Sequence, residues 1–428
     1  MFCDIIFKRI KVQVMNMKKL RVAELFAGVG GFRLGLENTN NNLFEITWAN
    51  QWEPSTKAQH AFECYTHHFK TGIHSNEDIA EVTDEEMAST SADIVVGGFP
   101  CQDYSVARSL NGELGISGKK GVLFWEIARF IQNTYPKYLI LENVDRLLKS
   151  PSKQRGRDFG VMLSTLNELG YDVEWRVINA AEYGNAQRRR RVFIFGYRRN
   201  MSYAESLTSF SDDDIIFKEG LYAKQFPVES KPNKNRINKT ELSHDIVNVS
   251  DTFQFQFWNS GIMRDGQITT IDTTPIKETP VTLGEILEEN YDKKYVITGD
   301  KLEKFKYLRG SKKIERVTPT GHKYYYTEGG MSETDALDLP GRTMLTSEGS
   351  VNRSTHIVKT NNEIRQLTPV EAERLNGFPD NWTDMLPERR RFFMMGNALV
   401  IPIITRIGNR IEEIEQEFEE DETQLELF

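Results

Sequence analysis

From residue 19 to residue 198 the chain repeats one pattern: a short apolar run, a turn marked by glycine or an acid, then an amphipathic helical stretch. "LRVAEL" runs into the glycine turn "FAGVGGF" and a helical segment. "FEITWAN" ends at "QWEP". "SADIVVGGFPC" leaves its apolar run through two glycines and a proline. "LFWEIARFIQNTYP" is helical and is followed by "KYLILENV". Strands that alternate with helices are joined by crossovers, so a mostly parallel sheet covered on both faces is expected, an α/β Rossmann-like fold. Such sheets hold ligands outside the carboxyl ends of their strands.

The texture changes after residue 198. Between about 200 and 360 the chain is rich in Thr, Ser, Asn, Lys and Tyr, with short β-like runs and frequent turn signals such as "RDGQ", "TEGG" and "SEGS". A second, smaller, irregular and mostly β domain is expected there. Helical periodicity returns at "TPVEAERLNGF", with Thr368 as N-cap and Pro369 at the first helical position. The segment "GNALVIPIITRIGNRIEEIEQEF" reads as a closing amphipathic helix. The expected organisation is a catalytic domain from residues 1–198 and 390–428, with a second domain from 199–389. No internal repeat is visible.

Net charge is −8, but residues 411–428 carry nine acids and no bases, and the remainder is near neutral with basic clusters such as "QRRRRVFIFGYRR". Clustering rather than total charge decides whether nucleic acid is a partner. The acidic tail reads as a solvated helix end. Three cysteines (Cys3, Cys64, Cys101) form no disulfide framework and show no metal spacing, which suits a reducing cytoplasm. No apolar run reaches membrane-spanning length, and no signal peptide is read at the N-terminus. Met15 and Met17 are alternative starts to Met1.

The residues at strand ends carry the chemistry. Gly28, Gly30 and Gly31 allow close backbone approach after the first strand, in a spacing that is not the dinucleotide GxGxxG. Glu53 ends the second strand, where an acid can bind ribose hydroxyls. Asp78 lies in the next loop, placed to accept from an adenine amine. Together they suit a nucleoside cofactor. Cys101 follows a proline at a strand end, and a thiol there is a nucleophile once ionised. Glu142 ends a neighbouring strand, giving an acid beside the thiol. The following Asn143 reads equally as a helix cap. Arg189 and Arg191 lie two apart before the strand "VFIFG" and are expected to face one side together.

With these residues in place the sequence resembles the DNA (cytosine-5) methyltransferases of bacterial restriction–modification systems. The matching blocks, in chain order, are "ELFAGVGGFRLGLE", "NQWEP", "EDI", "GGFPCQDYS", "GVLFWEIARFI", "LILENV", "QRRRRVFIFG", "RQLTPVEAERLNGFPDNW" and "MGNALVIPI". The resemblance implies that Cys101 attacks cytosine C6, that Glu142 binds the N3 edge and supplies a proton, and that Arg189 and Arg191 sit by the O2 edge. It implies S-adenosylmethionine as cofactor. Phe26, Gly28, Gly30, Gly31 and Phe32 would lie along the methionine moiety, Glu53 would take the ribose, Trp52 and Asp78 the adenine, and Phe99, Pro100 and Leu123 would form the wall. Asn397 and Ala398 would return beside it. The target base would be flipped out of double-stranded DNA. Gln102 and Ser105 would fall on a loop closing over DNA. The middle domain would be a target recognition domain, with 328–358 as its core and Arg342, Thr343, Thr346 and Arg353 as DNA contacts. A monomer, a cytoplasmic or nucleoid location and a cognate restriction endonuclease partner are the further expectations. An RNA cytosine-5 enzyme needs no such base-reading domain. A catalytically dead DNA-binding paralogue would not keep Cys101, Glu142 and the arginines. An oxidoreductase has no use for the Pro-Cys loop.

Overall fold

A computed structural model describes residues 18–54, 56–99, 123–230, 236–318 and 320–425, with side chains to residue 418. The chain divides into two compact units. The first comprises residues up to Asn179, Arg190–Lys277 and Ile401 onward; the second comprises Ala180–Arg189 and Glu278–Val400. The division differs from the expected boundary at 198/199. Residues 200–277 belong with the first unit, and residues 390–400 with the second.

The first unit is built on a ten-stranded sheet in the order β3-β2-β1-β4-β5-β7-β6-β9-β10-β8. Its strands are β1 (Leu20–Leu25), β2 (Phe44–Asn50), β3 (Ile73–Ser75), β4 (Ile94–Gly98), β5 (Tyr138–Val144), β6 (Tyr171–Asn179), β7 (Arg190–Arg198), β8 (Ile237–Glu241), β9 (Ser260–Arg264) and β10 (Gln267–Ile271). The half from β3 to β5 is all parallel, as the helix-strand alternation predicts. β7 then inserts antiparallel between β5 and β6. Beyond β6, strands β9, β10 and β8 continue the same sheet antiparallel. The join between β6 and β9 depends on Gly261: a Cβ there would lie 2.0 Å from the ring of buried Trp175. The polar texture of this stretch conceals strands that share the central core with Val173, Trp175, Met263 and Ile268.

The helix Ile401–Leu425 closes the unit against the helix Gly31–Glu37. Two glycines make that approach possible: a Cβ on Gly35 would lie 2.6 Å from Ile404 Cβ, and one on Gly408 2.6 Å from Thr39 Cγ2. Buried Glu412 accepts from Thr39 Oγ1 (2.7 Å) and from the amides of Asn41 and Leu43 (both 2.9 Å). The expected closing helix is present but starts at Ile401 rather than Gly396, which with Asn397 ends the preceding helix Glu388–Asn397.

The second unit contains two hairpins, β11 (Lys312–Val317) with β12 (Lys323–Glu328) and β13 (Ile357–Thr360) with β14 (Glu363–Gln366). Its helix Pro369–Asn376 starts at a capping box. The Thr368 hydroxyl accepts from the Glu371 amide, and the Glu371 carboxylate accepts from the Thr368 amide. Among the described residues no single helix is long and apolar enough to cross a membrane.

Candidate functional site

The strand order reverses between β1, whose other neighbour is β2, and β4, which leads on to β5. At such a switch point the connections leave in opposite directions and a crevice opens beyond the strand ends. The expected glycine turn and the approach to Cys101 leave the sheet at these two strands.

Beyond β1 the backbone takes three left-handed steps, at Phe26 (φ 55°), Gly28 (φ 57°) and Gly30 (φ 90°). Glycine is required at 30, where a Cβ would lie 2.3 Å from the Phe69 ring. At Gly28 the reason differs, because a Cβ would meet nothing within 4 Å among the described residues. The turn therefore presents bare backbone that no described side chain covers. It is tied to the end of β2 by Ala27 N–H to Asn50 O (2.9 Å) and Gly28 N–H to Gln51 Oε1 (2.7 Å). Gly31 and Phe32 are buried where the helix begins.

Past β2, Trp52 is 38% exposed, one of the large hydrophobic side chains left open to solvent. Glu53 is half-buried, and its Oε2 accepts from Ala61 N (3.0 Å) at the start of the helix His60–His68. One carboxylate oxygen thus anchors that helix. Asp78, also half-buried, accepts from Ala80 N (3.1 Å). Burial pushes the nearby Glu126 carboxyl above its ordinary value, and Asp78 adds to that push against the pull of Arg129. Asp78 is thereby placed beside the helix that begins at Leu123.

Between β4 and β5 the register puts Gly98 opposite Glu142. A Cβ on Gly98 would lie 3.3 Å from Glu142 Oε2 and 3.9 Å from Phe32 Cε2. Phe32, from the expected cofactor set, and Glu142, from the catalytic set, are thus brought together around one strand end. Glu142 Oε1 pairs with Arg191 Nε at 2.9 Å, both side chains being largely buried. Asn143 does not cap a helix. Its Nδ2 donates to Phe99 O (2.8 Å), fixing the last described residue of that strand end. Pro100, Cys101, Gln102 and Ser105 lie outside the described residues.

The strand starts at Arg190, so the two-residue alternation expected from the run does not reach 189. Arg189 is 2% exposed and donates to the carbonyls of Met344 (3.2 Å), Gly396 (3.0 Å) and Asn397 (3.3 Å) inside the second unit. Ala398 lies in the same unit and donates its N–H to Met394 O (2.8 Å). Two of the expected DNA contacts are also bound internally. Arg342 pairs with Asp335 (2.5 Å) and donates to Thr355 O (3.2 Å). Arg353 pairs with Glu328 (3.0 Å) and donates to Leu308, Gly310 and Gly329 carbonyls. Thr343 donates to Arg188 O (2.6 Å), and Thr346 is exposed. Two residues escaped sequence reasoning. Gln51 orders the glycine turn. Gln187, fully buried, donates to Asn376 Oδ1 (3.0 Å) and accepts from Met344 N (3.0 Å). An amide beside an arginine run carries no signal that would mark it.

A family model described as C-5 cytosine-specific DNA methylase matches residues 20–413. The Type II methyltransferase M.Sau3AI of Staphylococcus aureus is 68% identical over 412 residues, covering 96% of this chain and 100% of that relative. M.HhaI of Haemophilus parahaemolyticus is 25% identical over 402 residues, covering 94% of this chain and 97% of that one. Among solved structures, Dnmt2 of Spodoptera frugiperda aligns with a TM-score of 0.58 at 13% identity, over 92% of this chain and 99% of that one. Dnmt2 of S. pombe aligns at 0.57 and 15% identity, with the same coverage.

Proposed function

The chain belongs to the C-5 cytosine-specific DNA methylase family, and on that premise we propose that it methylates C5 of one cytosine within a short duplex DNA sequence, with S-adenosylmethionine as methyl donor. The observation that carries this reading is the Glu142–Arg191 pair beside Gly98, three residues before Cys101.

Cytosine C5 is a weak nucleophile until C6 is attacked. In the proposed sequence the Cys101 thiolate forms a bond to C6. Glu142 holds the N3 edge and delivers the proton that balances the addition. Arg191 keeps the carboxyl in place and faces the developing charge at the carbonyl edge. C5 gains the methyl, leaving S-adenosylhomocysteine; water takes the C5 proton, N3 returns its proton to Glu142, the S–C6 bond breaks, and the thiolate is restored. The base reaches these groups by leaving the duplex stack.

The residues at the neighbouring strand ends fit the donor. Bare backbone at Gly28 is covered by no described side chain, Trp52 offers an exposed ring, and half-buried Glu53 and Asp78 supply acceptors. When bound, S-adenosylmethionine supplies an electrophilic methyl group. Phe26, Gly28, Gly30, Gly31 and Phe32 would hold its amino-acid end, Trp52, Glu53 and Asp78 its nucleoside end, and Phe99 and Leu123 the wall.

The likeness to a Type II methyltransferase at 68% identity supports a place in a restriction–modification system, protecting host DNA from an endonuclease of the same specificity. The test is transfer of labelled methyl from S-adenosylmethionine to duplex DNA and, separately, to tRNA, with Cys101→Ser as control. Label in DNA that is lost in the control supports the reading. Label in tRNA alone overturns it.

A further inference from the structure

The hairpin of β11 and β12 buries almost nothing. Among the described residues its strands pair only with each other, and every residue of both is exposed except the two at its base, Lys312 and Glu328. An isolated two-stranded ribbon is marginal in water, and a sheet normally hides one face. Here three consecutive tyrosines, Tyr324, Tyr325 and Tyr326, stand 42%, 58% and 38% exposed. They alternate between faces, so neither face is the wet side of an amphipathic strand.

The base is nevertheless fastened. Arg353 pairs with Glu328 and donates to carbonyls on both sides of the hairpin, at Leu308, Gly310 and Gly329. Lys312 pairs with the same Glu328 at 3.4 Å. At the far end, Thr318 and His322 close the loop through Thr318 N–H to His322 O (2.8 Å), with Gly321 at φ 82°. The ribbon is held at its root and left bare along its length.

Its composition selects the occupant. The two strands carry Lys312, Lys313, Arg316 and Lys323 against Glu315 and Glu328. Each face sets a cation over a ring, Lys313 on Tyr325 (4.5 Å) and Arg316 on Tyr326 (4.2 Å). Basic heads interleaved with flat rings suit a polyanion with stacked or methylated edges. A two-stranded ribbon fits the major groove of B-DNA, about 12 Å wide, and six residues span roughly 20 Å along it. Inside a groove both faces are covered, which accounts for tyrosines on both.

We propose that this ribbon inserts into the major groove of the substrate duplex and supplies a principal share of its binding. The proposal rests on the DNA-methylating function argued above. It moves the DNA-reading element from Arg342 and Arg353, which brace the second unit internally, onto the hairpin.

The test compares the parent with Lys313→Ala/Tyr325→Ala and Arg316→Ala/Tyr326→Ala. A fluorescent duplex of mixed sequence gives Kd at several salt concentrations, and methyl transfer gives kcat and KM. These side chains are exposed, so melting and S-adenosylmethionine binding serve as checks of the fold. The expected result is a Kd and DNA KM raised about tenfold or more, with kcat at saturating DNA and cofactor affinity unchanged. The salt dependence of log K should lose about one unit of slope per cation removed. The single change Lys313→Gln reads that slope with the ribbon otherwise intact. Parental Kd and slope in all three variants would overturn the inference alone. A parent that neither binds nor methylates duplex DNA would overturn the function and the inference together.

Discussion

Arg191 Nε lies 2.9 Å from Glu142 Oε1, whereas Arg189, two residues earlier in the same basic run, donates to the carbonyls of Met344, Gly396 and Asn397 in the second unit. The two arginines are therefore expected to fail differently. Arg191→Ala should lower kcat by about 10²–10³, the range for removing one charge-stabilising donor, with a smaller loss of melting temperature than Arg189→Ala. Arg189→Ala should strand buried carbonyls and cost about 3 kcal/mol of stability. Thermal melting beside single-turnover rates separates the two.

Asn143 joins the strand that carries Glu142 to the strand end that leads to Cys101, through Nδ2 and Phe99 O at 2.8 Å. Asn143→Ala leaves that carbonyl without its donor in a buried setting, a cost of about 1–3 kcal/mol. The expected outcome is a lower kcat with S-adenosylmethionine affinity retained, since the glycine turn is ordered separately by Gln51. Equal loss of both would show that Asn143 supports the whole crevice rather than the nucleophile's approach.

Glu24, wholly buried in β1, accepts from Tyr65 OH (2.9 Å) and from the Arg33 amide (3.4 Å). Burial pushes its carboxyl from the ordinary 4.5 up to about 8, against the opposing pull of the Tyr65 and Arg33 hydrogen bonds. Between those values the folded chain keeps a proton that the unfolded chain releases. The resulting stability is present at acid pH and is lost as pH rises through about 8. Melting temperature should fall across that window, and Glu24→Gln should flatten the fall. An unchanged pH slope in the variant would assign the dependence to other groups.

In the second unit Arg365 and Glu371, both fully buried, form a two-point pair at 2.6 and 2.8 Å. Glu371 also accepts from the amides of Thr368 and Glu288, both at 2.8 Å. Removing one partner leaves an uncompensated charge, so Glu371→Ala should cost about 3–5 kcal/mol. Denaturant unfolding of this variant, Arg365→Met and the double variant measures the coupling. Strictly additive losses would refute it.

Much of the first unit was legible because strand ends advertise themselves. Glycine turns and acids after apolar runs marked β1, β2, β4 and β5, and the parallel half of the sheet followed from the helices between them. Strand direction leaves no mark in periodicity, so the antiparallel insertion of β7 was not readable. Strands β8 to β10 were hidden by a Thr- and Ser-rich texture, although Gly261 against Trp175 ties them to the central core. The arginine run showed charge but not where the strand begins, and that boundary alone separates the roles of Arg189 and Arg191. Arg342 and Arg353 looked like base readers because sequence reveals a guanidinium but not the acceptors that Asp335, Glu328 and nearby carbonyls provide.

The most direct test of the central claim is base-resolution mapping of the methyl group in duplex DNA after incubation with the protein and S-adenosylmethionine. The account predicts 5-methylcytosine at one position of one short motif, absent with Cys101→Ser and strongly reduced with Glu142→Gln. Methyl on an adenine or on the cytosine amino group, or 5-methylcytosine that persists in Cys101→Ser, would contradict it.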